Sequence, residues 1–396
     1  MSTNRNFRYS VETLRWLAYR PEVRQVAYQV ALLAALAFAA YWVVSNVAAN
    51  LRRQNIASGF DFLSRTSGFD VAQSLIEYSN VSTYGRAFWV GLLNTLLVAA
   101  LGIVAATVLG FVIGIARLSS NWLIARLATA YVELVRNVPL LLQLFFWYFA
   151  VLKNLPNPRQ SFALPGGVYF NVRGLYLPAP VLLSGFGLVL AALAAGLLIT
   201  AALWCWARRR QALTGERFPV LWPALAAIVG LPAVVFLAAG RPLAVDYPVL
   251  GGFNFQGGVA VLPELIALLL GLSIYTASFI AEIVRAGILG IPKGQTEAAQ
   301  ALGLSRGLTL RLVVVPQAAR IVIPPLTSQY LNLTKNSSLA VAIGYPDFVS
   351  VTGTVLNQTG QAVEVILMTM GVYLVISLLT SLFMNWFNRR MALVER

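Results

Sequence analysis

Residues 87–116 read AFWVGLLNTLLVAALGIVAATVLGFVIGIA, a run without one charged side chain. About 20 apolar residues suffice to cross the hydrocarbon of a bilayer. This run therefore spans a membrane, with enough left over for a leading segment lying at the interface. The rest of the chain agrees. Of its 396 residues 59% are hydrophobic and only 11% charged, where a soluble domain carries about 25%. Mean hydropathy is +0.74. One large water-soluble core is excluded, and the solvent for most of the chain is lipid.

Working outward from 87–116, seven further apolar runs cover 26–47, about 133–152, 181–207, 220–238, 262–286, about 318–343 and 363–387. The first is too long for a signal-peptide core and its polar leader is also too long, so it reads as a retained helix. The run at 318–343 is the most polar and is interrupted by Pro324 and Pro325. The expected fold is all-α: a polytopic membrane protein of about eight transmembrane helices. An even number of spans puts both termini on one side.

The formal charge of +15 would suggest nucleic acid in a soluble chain. Here the basic residues sit between apolar runs, where they report topology. With a cytoplasmic N-terminus, 20 of the 29 Lys and Arg fall inside. They include Arg5, Arg8, Arg15, Arg20 and Arg24 in the leader, Arg208, Arg209, Arg210 and Arg217 in one turn, and Arg389, Arg390 and Arg396 in the tail. Arg52 and Arg53 run against the rule. Both termini are expected in the cytoplasm, and no nucleic acid partner is expected.

Absent residues narrow the chemistry. Without a histidine, His metal sites, His general bases and Ser-His-Asp triads are excluded. The single cysteine, Cys205, forms no internal disulfide and no thiolate cluster. None of the three lysines, Lys153, Lys293 and Lys335, completes the Gly-Lys-Ser/Thr of a phosphate-binding loop. No catalytic, metal or cofactor site is expected in this chain, and ATP-driven work would need another subunit to bind the ATP.

Residues 294–305 read GQTEAAQALGLS. Helix formers run from Thr296 to Leu302. Gly303 suits the left-handed position after a helix end, and Ser305 can cap the next helix. Two short helices with a fixed bend result, carrying Ala298, Ala299 and Leu302 as a small apolar ridge. Such a ridge wants a groove on a partner, although on the residues alone a plain surface helix pair fits equally well.

Glu297-Ala298-Ala299, Gly303 and Pro316 resemble the EAA loop of binding-protein-dependent ABC importers, which implies a coupling helix seated in an ATPase subunit and formed by Glu297, Ala298, Ala299, Leu302, Gly303 and Ser305. The stretches 133–146 (ELVRNVPLLLQLFF), 275–287 (YTASFIAEIVRAG) and 335–340 (KNSSLA) are similar to the polar amino-acid permeases of the histidine/glutamine type. The likeness covers roughly 91–152 and 262–387 and implies the permease core of a type I importer. An added N-terminal span and an insertion with two more spans are similar to the first permease subunit of general L-amino-acid importers of the Aap/Bzt type. The implied organisation is 1–86 for tail, extra helix and outer loop, 87–152 for the first part of the core, 153–260 for the insertion, and 261–396 for the remaining core with its loop at 287–316. The likeness implies import of L-amino acids across a bacterial inner membrane. It implies a second permease subunit, two ATPase subunits binding ATP and magnesium, and a periplasmic amino-acid-binding protein.

Polar residues within the spans are functional candidates by default. Glu133 with Arg136 and Glu282 with Arg285 are i, i+3 pairs that can each close on one helix face, and structural or gate-bracing roles are expected for them. Gln329, Asn332, Lys335 and Ser338 lie in a stretch too polar for lipid, so that helix must face protein or a water-filled path. They, with Asn94 and Thr95, are the candidate substrate path. Snorkelling explains Lys335 and helix–helix hydrogen bonds explain Asn94 and Thr95 as readily. The aromatic run 145–148 reads as an interfacial belt. Two other functions remain open at this point. A self-sufficient ion-coupled transporter would use Glu282 or Glu264 as a proton carrier, and a membrane receptor or scaffold would transport nothing.

Overall fold

The structure, a computed structural model, describes residues 21–53 and 58–391. Arg5, Arg8, Arg15, Arg20 and Arg396, used above for topology, lie outside the described residues. In chain order the helices are α1 (Pro21–Arg53), α2 (Tyr84–Ala116), α3 (Trp122–Asn137), α4 (Leu140–Phe145), α5 (Phe186–Thr214), α6 (Leu221–Ala238) and α7 (Pro263–Leu289). There follow α8 (Lys293–Ala301), α9 (Arg306–Ile343), α10 (Phe348–Thr359) and α11 (Ala362–Met391). Seven of them are long and apolar enough to cross a membrane among the described residues, and the bent pair of α3 with the segment Leu140–Asn154, counted as one span, brings the number to eight. The expected number of spans therefore stands.

Two spans differ from expectation in shape. The run 133–152 is not one helix: α3 begins at Trp122, capped by the Asn121 side chain, and meets the following segment at 105°. Pro139 explains the corner, because its ring disfavours a helical conformation at the preceding residue. Val138 is accordingly extended, at φ −99° and ψ 127°. Conversely, Pro324 and Pro325 do not interrupt their span but lie inside continuous helix from Val315 to Asn336. Two missing N–H donors weaken the ladder there, and the turns on either side carry the helix through.

The insertion holds the two expected helices and also strands that were not expected. Strands β1 (Phe162–Leu164), β2 (Val168–Asn171), β3 (Gly174–Leu177) and β8 (Val259–Val261) form one antiparallel sheet in that order. β4 (Ala179–Leu182) pairs with β5 (Leu243–Asp246), and β6 (Val249–Gly251) with β7 (Asn254–Gln256). β4 leads into α5 and β5 follows α6, each across a turn of three or four residues, so the ladder Ala179↔Asp246 to Leu182↔Leu243 roots that helix pair. Within the pair, the backbone of α6 comes so close that a Cβ on Gly196 would collide with the Ala227 carbonyl oxygen.

The chain divides into two compact units. The larger comprises 71–77, 89–350 and 373–391 among the described residues, and its core joins Leu144, Leu268, Leu272, Ile280, Leu333 and Tyr345. α2 and α7 touch at their backbones: a Cβ on Gly110 would lie 2.5 Å from Ile280 Cγ2, and one on Gly114 2.8 Å from the Ala281 carbonyl oxygen. In the smaller unit, which includes 58–70, 78–88 and 351–372, the Gly59 N–H bonds to Glu364 at 2.8 Å and the Tyr84 hydroxyl to Gln358 at 3.0 Å.

Candidate functional site

The polar span α9 presents two unlike faces. Ser328, Asn332 and Lys335 recur at i, i+4 and i+7 and are all exposed, so they form one stripe along the helix. The opposite face carries Leu326, Leu333 and Ser337, all buried in the larger unit. Gln329 and Ser338 flank the stripe half-buried. The Ser338 hydroxyl donates back to the Lys335 carbonyl at 2.7 Å, which leaves its lone pairs free. Among the described residues no carboxylate reaches Lys335 within ion-pair distance. The stripe thus offers an ammonium, an amide and a hydroxyl on the surface of a membrane-spanning helix.

Asn94 and Thr95 are placed differently. Both are fully buried. Asn94 Nδ2 donates to the Gln73 and Pro346 carbonyls, each at 2.9 Å, and Thr95 Oγ1 accepts the Phe348 N–H at 2.9 Å. They tie α2 to the segment after α9, and no surface of theirs faces the stripe. Asp347 sits between the tied residues, also fully buried, accepting from the Ser350 N–H at 2.9 Å and the Tyr373 hydroxyl at 3.4 Å. It lies outside the apolar spans, and burial pushes its carboxyl up to about 7.

The two expected ion pairs part company. Arg285 closes on Glu282 at 2.7 Å, and Arg117, just beyond the end of α2, joins the same carboxylate from the other side. One carboxylate therefore holds two guanidiniums and braces α2 against α7. Glu133 and Arg136 do not pair: both are exposed, and the Arg136 guanidinium lies over the Phe279 ring at 5.0 Å. On an exposed helix face a flat cation gains more from an aromatic neighbour on α7 than from a mobile carboxylate. Glu264 is also partnered, by the Tyr148 hydroxyl at 2.5 Å and by Lys153 at 4.0 Å. Tyr148 is consequently buried, apart from the exposed Phe146 of the same aromatic run. Neither Glu282 nor Glu264 has the free, wetted geometry of a proton carrier.

The bend at 294–305 has the geometry its residues dictate. Gly303 takes φ +76°, and two bonds finish α8 around it: Gly303 N–H to the Gln300 carbonyl at 2.9 Å and Leu304 N–H to the Ala299 carbonyl at 3.1 Å. This is the paired closure that a left-handed residue makes possible. Ser305 caps the next turn by accepting the Leu308 N–H. Glu297, Ala298 and Leu302 are exposed, Leu302 by 82%. Ala299 is buried, so the ridge consists of Ala298 and Leu302, and Ala299 belongs to the packing beneath.

Sequence reasoning missed Arg117 as a partner of Glu282, Asp347 as a buried acid, and the Tyr148–Glu264–Lys153 group. Arg117 meets Glu282 across 165 residues of sequence, Tyr148 meets Glu264 across 116 and Tyr373 meets Asp347 across 26, separations that no local spacing reports.

A family described as binding-protein-dependent transport system inner membrane component matches residues 214–393. Three proteins resemble nearly the whole chain. The general L-amino acid transport system permease protein AapQ of Rhizobium johnstonii is 56% identical over 384 residues, covering 97% of this chain and 96% of that protein. The putative amino-acid ABC transporter permease protein YhdX of Escherichia coli is 53% identical over 378 residues, covering 95% and 96%. The glutamate/glutamine/aspartate/asparagine transport system permease protein BztB of Rhodobacter capsulatus is 41% identical over 415 aligned residues, covering 97% of each.

Proposed function

The chain belongs to the family of amino-acid ABC transporter permeases, and from that membership we propose how this subunit makes a path and receives the energy to open it. It is a multi-pass inner-membrane permease subunit of an ATP-driven amino-acid importer, and it belongs to the non-enzymatic, pore-forming part of the assembly. In the proposal, a second and related permease faces α9, and the substrate passes between the two. Two ATPase subunits sit against α8 and its bend, a periplasmic binding protein delivers the amino acid, and both termini are cytoplasmic.

The observation that carries this reading is the exposed stripe Ser328, Asn332, Lys335 on a helix whose other face is buried. A lysine left in lipid costs up to about 3 kcal/mol, the insertion-scale value for a helix centre, and Asn332 adds to that. A protein partner across a watered gap removes the cost. Free L-amino acids carry a carboxylate and an ammonium, and Lys335 answers the first while Asn332, Gln329 and Ser338 answer either. The name of AapQ speaks of general L-amino acids and that of BztB of glutamate, glutamine, aspartate and asparagine, and the proposed cargo is accordingly L-amino acids.

Lys335→Met tests the reading. Uptake into vesicles should fall about tenfold or more, with assembly and basal ATP hydrolysis intact. Unchanged uptake of every amino acid tested would reduce Lys335 to an anchor at the membrane surface and remove the stripe from the path.

A further inference from the structure

We propose that the end of the bundle carrying the bend holds an anionic phospholipid, its headgroup seated in a cavity between the end of α7, one face of α8 and the first turns of α9. The proposal rests on the reading of 294–305 as the cytoplasmic coupling loop. The cavity is about 520 Å³. Ile288, Leu310 and Val314 give it an apolar wall, Lys293 and Arg306 stand at its edge, and no Asp or Glu lines it. Neither cation has an ion-pair partner among the described residues.

A third feature belongs to the same cavity. Thr309 lines the cavity, is only 2% exposed, and its hydroxyl has no hydrogen-bond partner. Buried hydroxyls are almost always paired, and a helical threonine ordinarily gives its proton to a carbonyl one turn back. Directly after Thr309 the helix widens into a π turn at Leu310–Val314, a departure that recurs at functional sites. Two unpaired cations and an unused hydroxyl suit a phosphate. An apolar wall between two membrane-spanning helices suits the acyl chain attached to it, and basic pockets at this depth are the usual seats of anionic headgroups.

The ATPase is not the occupant this geometry selects. At 100° per residue, Lys293 and Gln300 lie on the cavity side of α8, while Ala298 and Leu302 lie on the opposite side. The ATPase can take the outer ridge while the lipid fills the inner hollow. A bound lipid would then brace α8 against α7 and α9, making transport sensitive to the charge of the bilayer.

The test uses the assembled transporter, exchanged into mixed micelles of phosphatidylglycerol or phosphatidylcholine and analysed by native mass spectrometry for lipid retained on this chain. Wild type should retain phosphatidylglycerol over phosphatidylcholine. The double variant Lys293→Gln, Arg306→Gln should weaken that retention about thirtyfold, equivalent to roughly 1 kcal/mol per basic group. The charge-keeping pair Lys293→Arg, Arg306→Lys should hold the lipid, and Thr309→Val should weaken it severalfold. Equal retention of both lipids overturns the proposal. So does an unaffected double variant, loss of lipid in the charge-keeping pair, displacement by inorganic phosphate alone, or lipid binding only when the ATPase has dissociated. ATPase co-purification from the same samples reports separately on the coupling reading: loss of ATPase with wild-type lipid retention would remove that reading and keep the lipid site.

Discussion

Charges in this chain do their structural work in groups, and single residues test those groups. Glu282→Gln leaves Arg117 and Arg285 side by side without a counter-charge. Breaking a fully buried pair costs about 3–5 kcal/mol, and because solvent reaches part of this group we expect about 1–3 kcal/mol, read as a lower temperature of thermal aggregation in detergent. No loss would mean that the two arginines are already solvated apart. Asp347 gives a pH-dependent case. Its carboxyl is raised to about 7 by burial, so the folded protein keeps a proton that an unfolded chain releases near pH 4. The sign follows: this contribution is fully present below about pH 4 and is lost as pH rises through about 7. Wild type should lose thermal stability between pH 5 and pH 8 relative to Asp347→Asn, which still caps Ser350. Parallel curves would show that Asp347 is ionised throughout. The Glu282–Arg285 half of the first group was legible as an i, i+3 spacing. Arg117 and Asp347 were not, because burial and contact between distant helices leave no mark on a local pattern.

At the level of elements, length and polarity marked every span, and shape came from neighbours. Residues 87–116 read as one helix because nothing in them stops it. The corner at Pro139 was written in the sequence, yet an apolar run on both sides masked it. The strands of the insertion are three or four residues long, too short for an alternating pattern to stand out among Gly and Pro. Gly110 and Gly114 carry a spacing of four that lets two membrane helices approach, and the structure uses it against Ile280 and Ala281. Gly114→Leu should therefore push α2 from α7, costing about 1–3 kcal/mol or more and lowering the yield of folded protein in detergent. Gly371→Leu, where an added Cβ meets nothing within 4 Å, serves as the tolerated control. Equal behaviour of the two variants would mean that α2 and α7 leave room for a side chain at Gly114.

For the whole molecule, the division of labour follows from what the chain lacks and where its bend lies. It has no phosphate-binding loop, and in the proposed assembly the energy for transport arrives through a contact with the ATPase subunits. The exposed ridge of Ala298 and Leu302, held at a fixed angle by Gly303 and Ser305, is the element we propose to receive it. Gly303 at φ +76° tolerates no β-branched residue without strain of about 1–2 kcal/mol, and Gly303→Val spends that strain on the angle between α8 and α9 while the spans remain folded in lipid. Ala298→Arg instead puts bulk and charge on the ridge itself. The measurement that decides is amino-acid uptake and ATP hydrolysis in the same proteoliposomes, for wild type, Gly303→Val and Ala298→Arg, with the ATPase content of each preparation determined. Both variants should reach the membrane, and uptake should fall at least tenfold, through lost ATPase or through hydrolysis without transport. Normal uptake with a full complement of ATPase in both variants would mean that the energy enters this subunit elsewhere.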